Sequence, residues 1–136
     1  WGSDVSIDYL ATDNLTIWGN YSHVSQNIWQ IGDDAMPFAQ NLNTPLNKYN
    51  LGLRLTGANG FRTSLTYQHA DSFLSDQGMY GGDTDERNLV DFSIGRQVGN
   101  IQLDLAATNL FNQKYRAFPG MPIIERRVTL RAGFKF

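Results

Sequence analysis

Apolar and polar side chains alternate with a period of two along most of this chain, and successive side chains of a strand point to opposite faces. Residues 128–136 carry the alternation most cleanly. Val128, Leu130, Ala132, Phe134 and Phe136 fall on one face, while Thr129, Arg131, Gly133 and Lys135 fall on the other. The same period predicts about seven strands in all. The first three span residues 4–10, 15–24 and 48–56. The fourth carries Phe61, Thr63, Leu65 and Tyr67 on its apolar face, and the fifth carries Val90, Phe92 and Ile94. The sixth carries Ile101, Leu103, Leu105 and Ala107, and the terminal strand completes the set.

The segments between these strands follow a rhythm. Thr12-Asp13-Asn14, Gly57-Ala58-Asn59-Gly60 and Gly99-Asn100 are tight-turn signals. Between them lie polar stretches at about 25–47, 70–88 and 112–125, two of which contain a pair of prolines. Short and long connections therefore alternate. In an antiparallel up-and-down meander this puts every tight turn at one end of the sheet and every long loop at the other. Outer-membrane barrels have that asymmetry, with short periplasmic turns and longer extracellular loops.

Charges sort by face in the same way. Asp4, Asp8, Arg54, Arg62, Asp91, Asp104, Arg127, Arg131 and Lys135 have the parity of the polar face. Arg96 alone among the strand charges has apolar parity, and it lies beside a tight turn, where a long side chain can reach the headgroups. Arg126 shares that parity at the loop end of the last strand. A charge facing lipid at mid-depth costs roughly 2–4 kcal/mol and far less near the interface, so both exceptions fall at tolerant positions.

Composition narrows the classes. The 136 residues are 41% hydrophobic with a formal net charge of −2, which gives no basic footprint for nucleic acid. The absence of cysteine removes disulfide scaffolds and thiolate metal sites. No apolar run reaches the roughly 18 residues of a membrane helix. Alternation alone fits a soluble sandwich as well as a barrel wall, because both have two-faced strands. Loop asymmetry, strand length and the aromatic terminus favour the membrane. An odd number of strands would leave the two chain ends on opposite sides, whereas bacterial barrels have even counts. The expectation is that further strands precede Trp1.

One segment is specific. Ala107-Thr-Asn-Leu-Phe-Asn-Gln-Lys-Tyr115 resembles the NLF-(D/N)-x-x-Y segment of TonB-dependent outer-membrane receptors, with Asn109, Leu110, Phe111, Asn112 and Tyr115 at the motif positions. In that family the segment ends the penultimate barrel strand and is followed by a loop, an arginine and a last strand ending in Phe. Residues 43–53, Asn-Thr-Pro-Leu-Asn-Lys-Tyr-Asn-Leu-Gly-Leu, resemble the approach to a strand in the same receptors.

The resemblance implies an all-β fold, with the chain as the last seven transmembrane strands of a barrel of about 22. The plug domain and TonB box then lie outside residues 1–136. It implies import of a scarce nutrient (a metal chelate, a cobalamin or a glycan) powered through the TonB complex. The implied partners are outer-membrane lipid, the preceding strands, the plug and the barrel-assembly machinery. Gly133, Phe134 and Phe136 resemble the terminal signal that machinery reads, although this glycine sits nearer the end than usual. A structural or adhesive barrel, or a soluble ligand-binding β-domain, are the competing expectations.

Enzymatic chemistry is not expected. No nucleophile triad, phosphate-cradling glycine loop or paired-carboxylate motif stands out. His23 and His69 read as interfacial histidines rather than a metal pair, and no cofactor is expected. Residues 83–86, Asp-Thr-Asp-Glu, lack calcium-loop spacing and read as a solvated tip. Tyr21, Tyr49, Tyr67 and Phe111 read as girdle aromatics. Trp18, whose parity points it at the polar face, and Trp29, in a long loop, are the candidate substrate contacts.

Overall fold

The computed structural model describes residues 1–31, 38–58, 60–76 and 78–134. Eleven strands follow in order: β1 (Gly2–Thr12), β2 (Leu15–Val24), β3 (Ile28–Ile31), β4 (Phe38–Asn41), β5 (Asn47–Thr56), β6 (Arg62–Ala70), β7 (Leu74–Ser75), β8 (Gly82–Asp83), β9 (Arg87–Val98), β10 (Ile101–Thr108) and β11 (Arg127–Phe134). A single 3-10 turn, Gly78–Tyr80, is the one helical element among the described residues.

Seven strands form one antiparallel meander in the order β1-β2-β5-β6-β9-β10-β11. These seven are the strands the alternation predicts. Their boundaries run further than expected at the loop end, since β1 begins at Gly2, β6 reaches Ala70 and β9 begins at Arg87. Phe61 lies outside β6, because its carbonyl accepts a 2.8 Å hydrogen bond from Gly57 N–H and closes the turn. Lys135 and Phe136 lie outside the described residues.

The tight turns form for local reasons. Thr12 Oγ1 accepts from the N–H groups of Asn14 and Leu15, at 3.3 and 3.1 Å, so the side chain satisfies donors that the reversing backbone leaves free. The register shifts between Leu10 and Thr12 as the strand enters this turn. Gly99 has φ of 59°, the left-handed conformation that glycine adopts at no steric cost.

Register fixes the faces. One row of directly opposed residues crosses the whole sheet: Tyr9, Ile17, Leu53, Leu65, Phe92, Ala107 and Val128. Every member is apolar or aromatic, and rows above and below it continue the patch with Ile7, Leu51 and Val90 on one side and Leu55, Ile94, Leu105 and Leu130 on the other. No second layer covers this face among the described residues. Val5, Ile7, Leu51, Leu103 and Leu130 are all exposed, and among the described residues the buried hydrophobic ones are Ala70, Phe73, Leu89 and Ala107. The sheet is open, with β1 and β11 at its edges.

Candidate functional site

The three long connections meet at one end of the sheet. They contain more structure than their polar composition suggests. β3 pairs with β4 in the first, and β7 pairs with β8 in the second. Asn41 Nδ2 donates to Leu74 O at 2.8 Å, and Asp76 N–H donates to Asn43 Oδ1 at 2.6 Å, joining the first loop to the second. Phe73 meets Phe118 edge to face at 6.4 Å, and Arg116 N–H donates to Asp85 Oδ2 at 2.7 Å, joining the second to the third. Phe73 and Thr84 exchange backbone and side-chain hydrogen bonds beneath this contact, and both are buried. The loops are therefore a packed cap rather than three independent tethers.

The motif segment holds this cap to the sheet. Asn109 is 4% exposed and has φ of 55°. Its Nδ2 donates to Gln113 O at 2.7 Å, and its Oδ1 accepts from Gln113 N–H at 2.9 Å. Its own N–H donates to Asp91 Oδ1 at 2.8 Å. Gln113 then uses its carboxamide as a substitute for a strand backbone. Oε1 accepts from Asn88 N–H at 2.7 Å, and Nε2 donates to Glu86 O at 3.0 Å. Leu110 N–H continues the ladder to Val90 O at 2.7 Å. Asn112, with φ of 59°, accepts from Arg126 N–H at 2.8 Å and so starts the return to β11. Tyr115 bridges Ile124, while Phe111 points out of the fold and is 76% exposed.

The polar face carries the second set of candidates. Trp18 lies on it, opposite Asp8 and Gly52. The indole rests over Gly52, where any Cβ would overlap the ring. Part of its surface is thus spent covering a glycine, and it is half-buried rather than freely presented. A second glycine notch follows nearer the tight turns. Arg62, Gly95 and Asp104 are directly opposed, and the Arg62 guanidinium pairs with Asp104 across the space a side chain at 95 would fill. Near the loop end Lys48, Ala70 and Arg87 form an equivalent row, with two cations in place of an ion pair.

Trp29 sits in β3 opposite Gln40. It is 39% exposed, so of the two tryptophan candidates it lies in the loop cap and Trp18 on the sheet. Gly133 opposes Gln102, and Phe134 opposes Ile101 on the edge strand β11. Phe136 lies outside the described residues.

The histidines belong to a repeated unit that the sequence reading overlooked. Tyr21 and His23 both donate to Asn47 Oδ1, at 2.7 and 2.9 Å. Tyr67 and His69 both donate to Asn88 Oδ1, at 2.7 and 2.8 Å. An amide oxygen can only accept, so each imidazole donates from Nδ1, and His69 also donates from Nε2 to Asp71 Oδ1 at 3.0 Å. Each carboxamide is oriented by a carboxylate on its Nδ2, Asp71 for Asn47 and Glu86 for Asn88. The Tyr-x-His spacing at 21–23 and 67–69 was the available signal.

Trp1 lies 5.1 Å from the His23 ring, and Tyr49 stacks on His69 at 4.6 Å. Aromatic rings consequently line the loop end of the apolar face. Burial alone would push the Asp71 carboxyl up. Hydrogen bonds from the Asn47 side chain, from His69 and from Asn47 N–H outweigh it and hold Asp71 below its ordinary range. His23 and His69 sit on strands separated by β5, and no three metal-ligating side chains gather among the described residues.

No family model, curated protein or solved structure matches this chain.

Proposed function

We propose that the chain forms part of the wall, lumen lining and external loops of an outer-membrane β-barrel receptor of the TonB-dependent type, importing a scarce nutrient. The observation that carries this reading is the uncovered apolar row from Tyr9 to Val128, which spans all seven strands of a single-layered sheet. Isolated apolar residues on a surface need no explanation, but a contiguous patch of this extent needs a partner phase. Hydrocarbon supplies one across the full width of the sheet.

Three further features support it. β9 has 12 residues. At about 3.3 Å per residue and a tilt of about 45°, such a strand rises about 28 Å, close to the hydrocarbon thickness. Tyrosine, tryptophan and histidine gather at the loop end of the apolar face, with Tyr21, His23, Tyr67 and His69 hydrogen-bonded through their polar atoms, as suits an interface that is dry on one side and wet on the other. The opposite face carries the ion pair, carboxamides and hydroxyls expected of a water-filled lumen.

On this reading, further strands complete the barrel along the edges of β1 and β11. The plug and the TonB complex act through parts outside residues 1–136. Gly133 and Phe134 belong to the strand that the assembly machinery would read. Trp18 and Trp29 are the aromatic surfaces offered to a ligand.

The test is uptake. Cells lacking the protein are compared with cells carrying it for import of labelled ferric chelates, cobalamin and oligosaccharides, each with and without working TonB. Import of one class that needs both supports the reading. Unchanged import of all three, with the protein present in the outer membrane, indicates a structural or adhesive barrel instead.

A further inference from the structure

We propose that Lys48 and Arg87, on the polar face at the loop end, form a subsite for a carboxylate or phosphate group of an incoming small ligand. The inference rests on the reading of that face as lumen.

The argument starts from register. Lys48 and Arg87 both oppose Ala70, one from each side, so their side chains rise from strands two apart over the same small residue. Strands lie about 4.8 Å apart, which puts the two backbones about 10 Å from each other, well within the joint reach of two long side chains. Ala70 is 7% exposed, so the two cations and their neighbours already cover it.

The notch at the opposite end of β6 shows how this surface treats an internal charge. Arg62 and Asp104 reach over Gly95 in the same geometry and neutralise each other. At Ala70 both arms are positive. Among the described residues neither Lys48 nor Arg87 has an acidic side chain in ion-pair range, since the ion pairs formed are Arg62–Asp104, His69–Asp71 and Lys114–Glu125. The nearby carboxylates are committed elsewhere. Asp91 accepts from Gln68 Nε2 and Asn109 N–H, Glu86 accepts from Asn88 Nδ2, and Asp71 accepts from Asn47 and His69.

The space between them is shaped. Lys48, Asn50, Gln68, His69, Ala70, Arg87 and Leu89 line a cavity of about 130 Å³, several times the ~30 Å³ share of one water molecule. Asn50 and Gln68 belong to its lining, and both carboxamides are already held, Asn50 by Asn20 and Gln68 by Asp91. Arg87 lies over the Tyr115 ring, its guanidinium carbon 5.9 Å from the centroid, which restrains the planar fork that suits an oxyanion. Two like charges lining one cavity repel, and one bound anion between them turns that repulsion into attraction.

The test uses the full-length protein folded in maltoside micelles, a detergent without phosphate. Inorganic phosphate and citrate are titrated separately and binding is followed by calorimetry. The expected result is saturable binding of at least one of them, weakened tenfold or more by Lys48→Gln and by Arg87→Gln and restored in part by Arg87→Lys. Arg62→Gln, which removes a neutralised cation elsewhere on the face, is expected to leave affinity within twofold. Absence of saturable binding by either anion, or an equal loss in Arg62→Gln, overturns the subsite. Lys48→Cys in membranes, treated with a charged maleimide, separates the two levels. Labelling without anion binding removes the subsite alone, whereas protection by lipid removes the lumen reading and the subsite with it.

Discussion

Asn109 and Gln113 close a ring on each other: the Asn109 carboxamide donates to Gln113 O at 2.7 Å and accepts from Gln113 N–H at 2.9 Å. The pair converts the end of β10 into a clamp, because Gln113 then hydrogen-bonds Asn88 and Glu86 where a strand backbone would otherwise be needed. Asn109→Ala removes both bonds and leaves a residue with a Cβ at φ of 55°. The expected cost is about 2–4 kcal/mol, combining two hydrogen bonds with left-handed strain. Asn109→Gly relieves the strain and is expected to cost less. Urea unfolding in lipid vesicles checks both, and equal midpoints for wild type and Asn109→Ala would contradict the clamp.

Leu53 and Arg54 are neighbours on β5, at one depth and on opposite faces. Arginine is thus already accommodated at this level, but on the polar side. On the proposed barrel reading, Leu53→Arg puts the charge against hydrocarbon, at an expected cost of about 2–4 kcal/mol. Thr129→Arg, on the polar face, is expected to be nearly neutral. The yield of folded, heat-modifiable barrel from cells compares the two, and equal yields would argue against a lipid-facing Leu53.

Gly52 exists beneath Trp18 because the indole occupies the volume of a side chain there. Gly52→Val must displace the ring from the sheet, and overpacking of this kind costs about 1–3 kcal/mol. Trp18 becomes the sole tryptophan of residues 1–136 in a Trp1→Phe, Trp29→Phe background. Its fluorescence is expected to shift to longer wavelength in Gly52→Val as the indole meets water. Unchanged emission would mean that the ring does not rest on Gly52.

Asp71 ties the loop end of β6 to β5 through the Asn47 side chain and backbone. Its folded pKa is lowered, so the carboxylate stabilises the fold above its ordinary value. That stabilisation declines once pH falls to the ordinary carboxyl value of about 3.9, where the unfolded chain begins to take up protons, and is lost below the folded value. Wild type is expected to lose stability through this acid window, and Asp71→Asn is expected to lose less over the same range. Parallel curves for the two proteins, measured by denaturant midpoint, would assign no such role to Asp71.

The sequence made one level of this molecule readable and concealed another. Period-two alternation placed Leu51, Leu53, Leu103 and Leu130 on one face and Trp18, Arg62 and Asp104 on the other, because a strand's parity is a local property. The turn signals at 12–14, 57–60 and 99–100 placed the reversals for the same reason.

Relationships that depend on register between strands were not readable. Nothing local announces that Gly95 lies between Arg62 and Asp104, or that Ala70 lies between Lys48 and Arg87. The hairpins β3–β4 and β7–β8 were concealed by their brevity, since four-residue and two-residue runs carry almost no periodic signal. The motif at 107–115 could be matched as a string, but its work as a clamp depends on Asn109 and Asn112 both adopting positive φ.

Nitroxide labels placed singly along β5 test the central claim most directly, with the full-length protein in lipid vesicles. Labels at Leu51→Cys, Leu53→Cys and Leu55→Cys are expected to collide with oxygen dissolved in the bilayer. Labels at Asn50→Cys and Arg54→Cys are expected to collide with a water-soluble nickel chelate. Oxygen and nickel accessibility should then alternate out of phase from residue to residue. Nickel access at all five positions, or burial of the leucine positions from both reagents, would contradict hydrocarbon as the phase that this face meets.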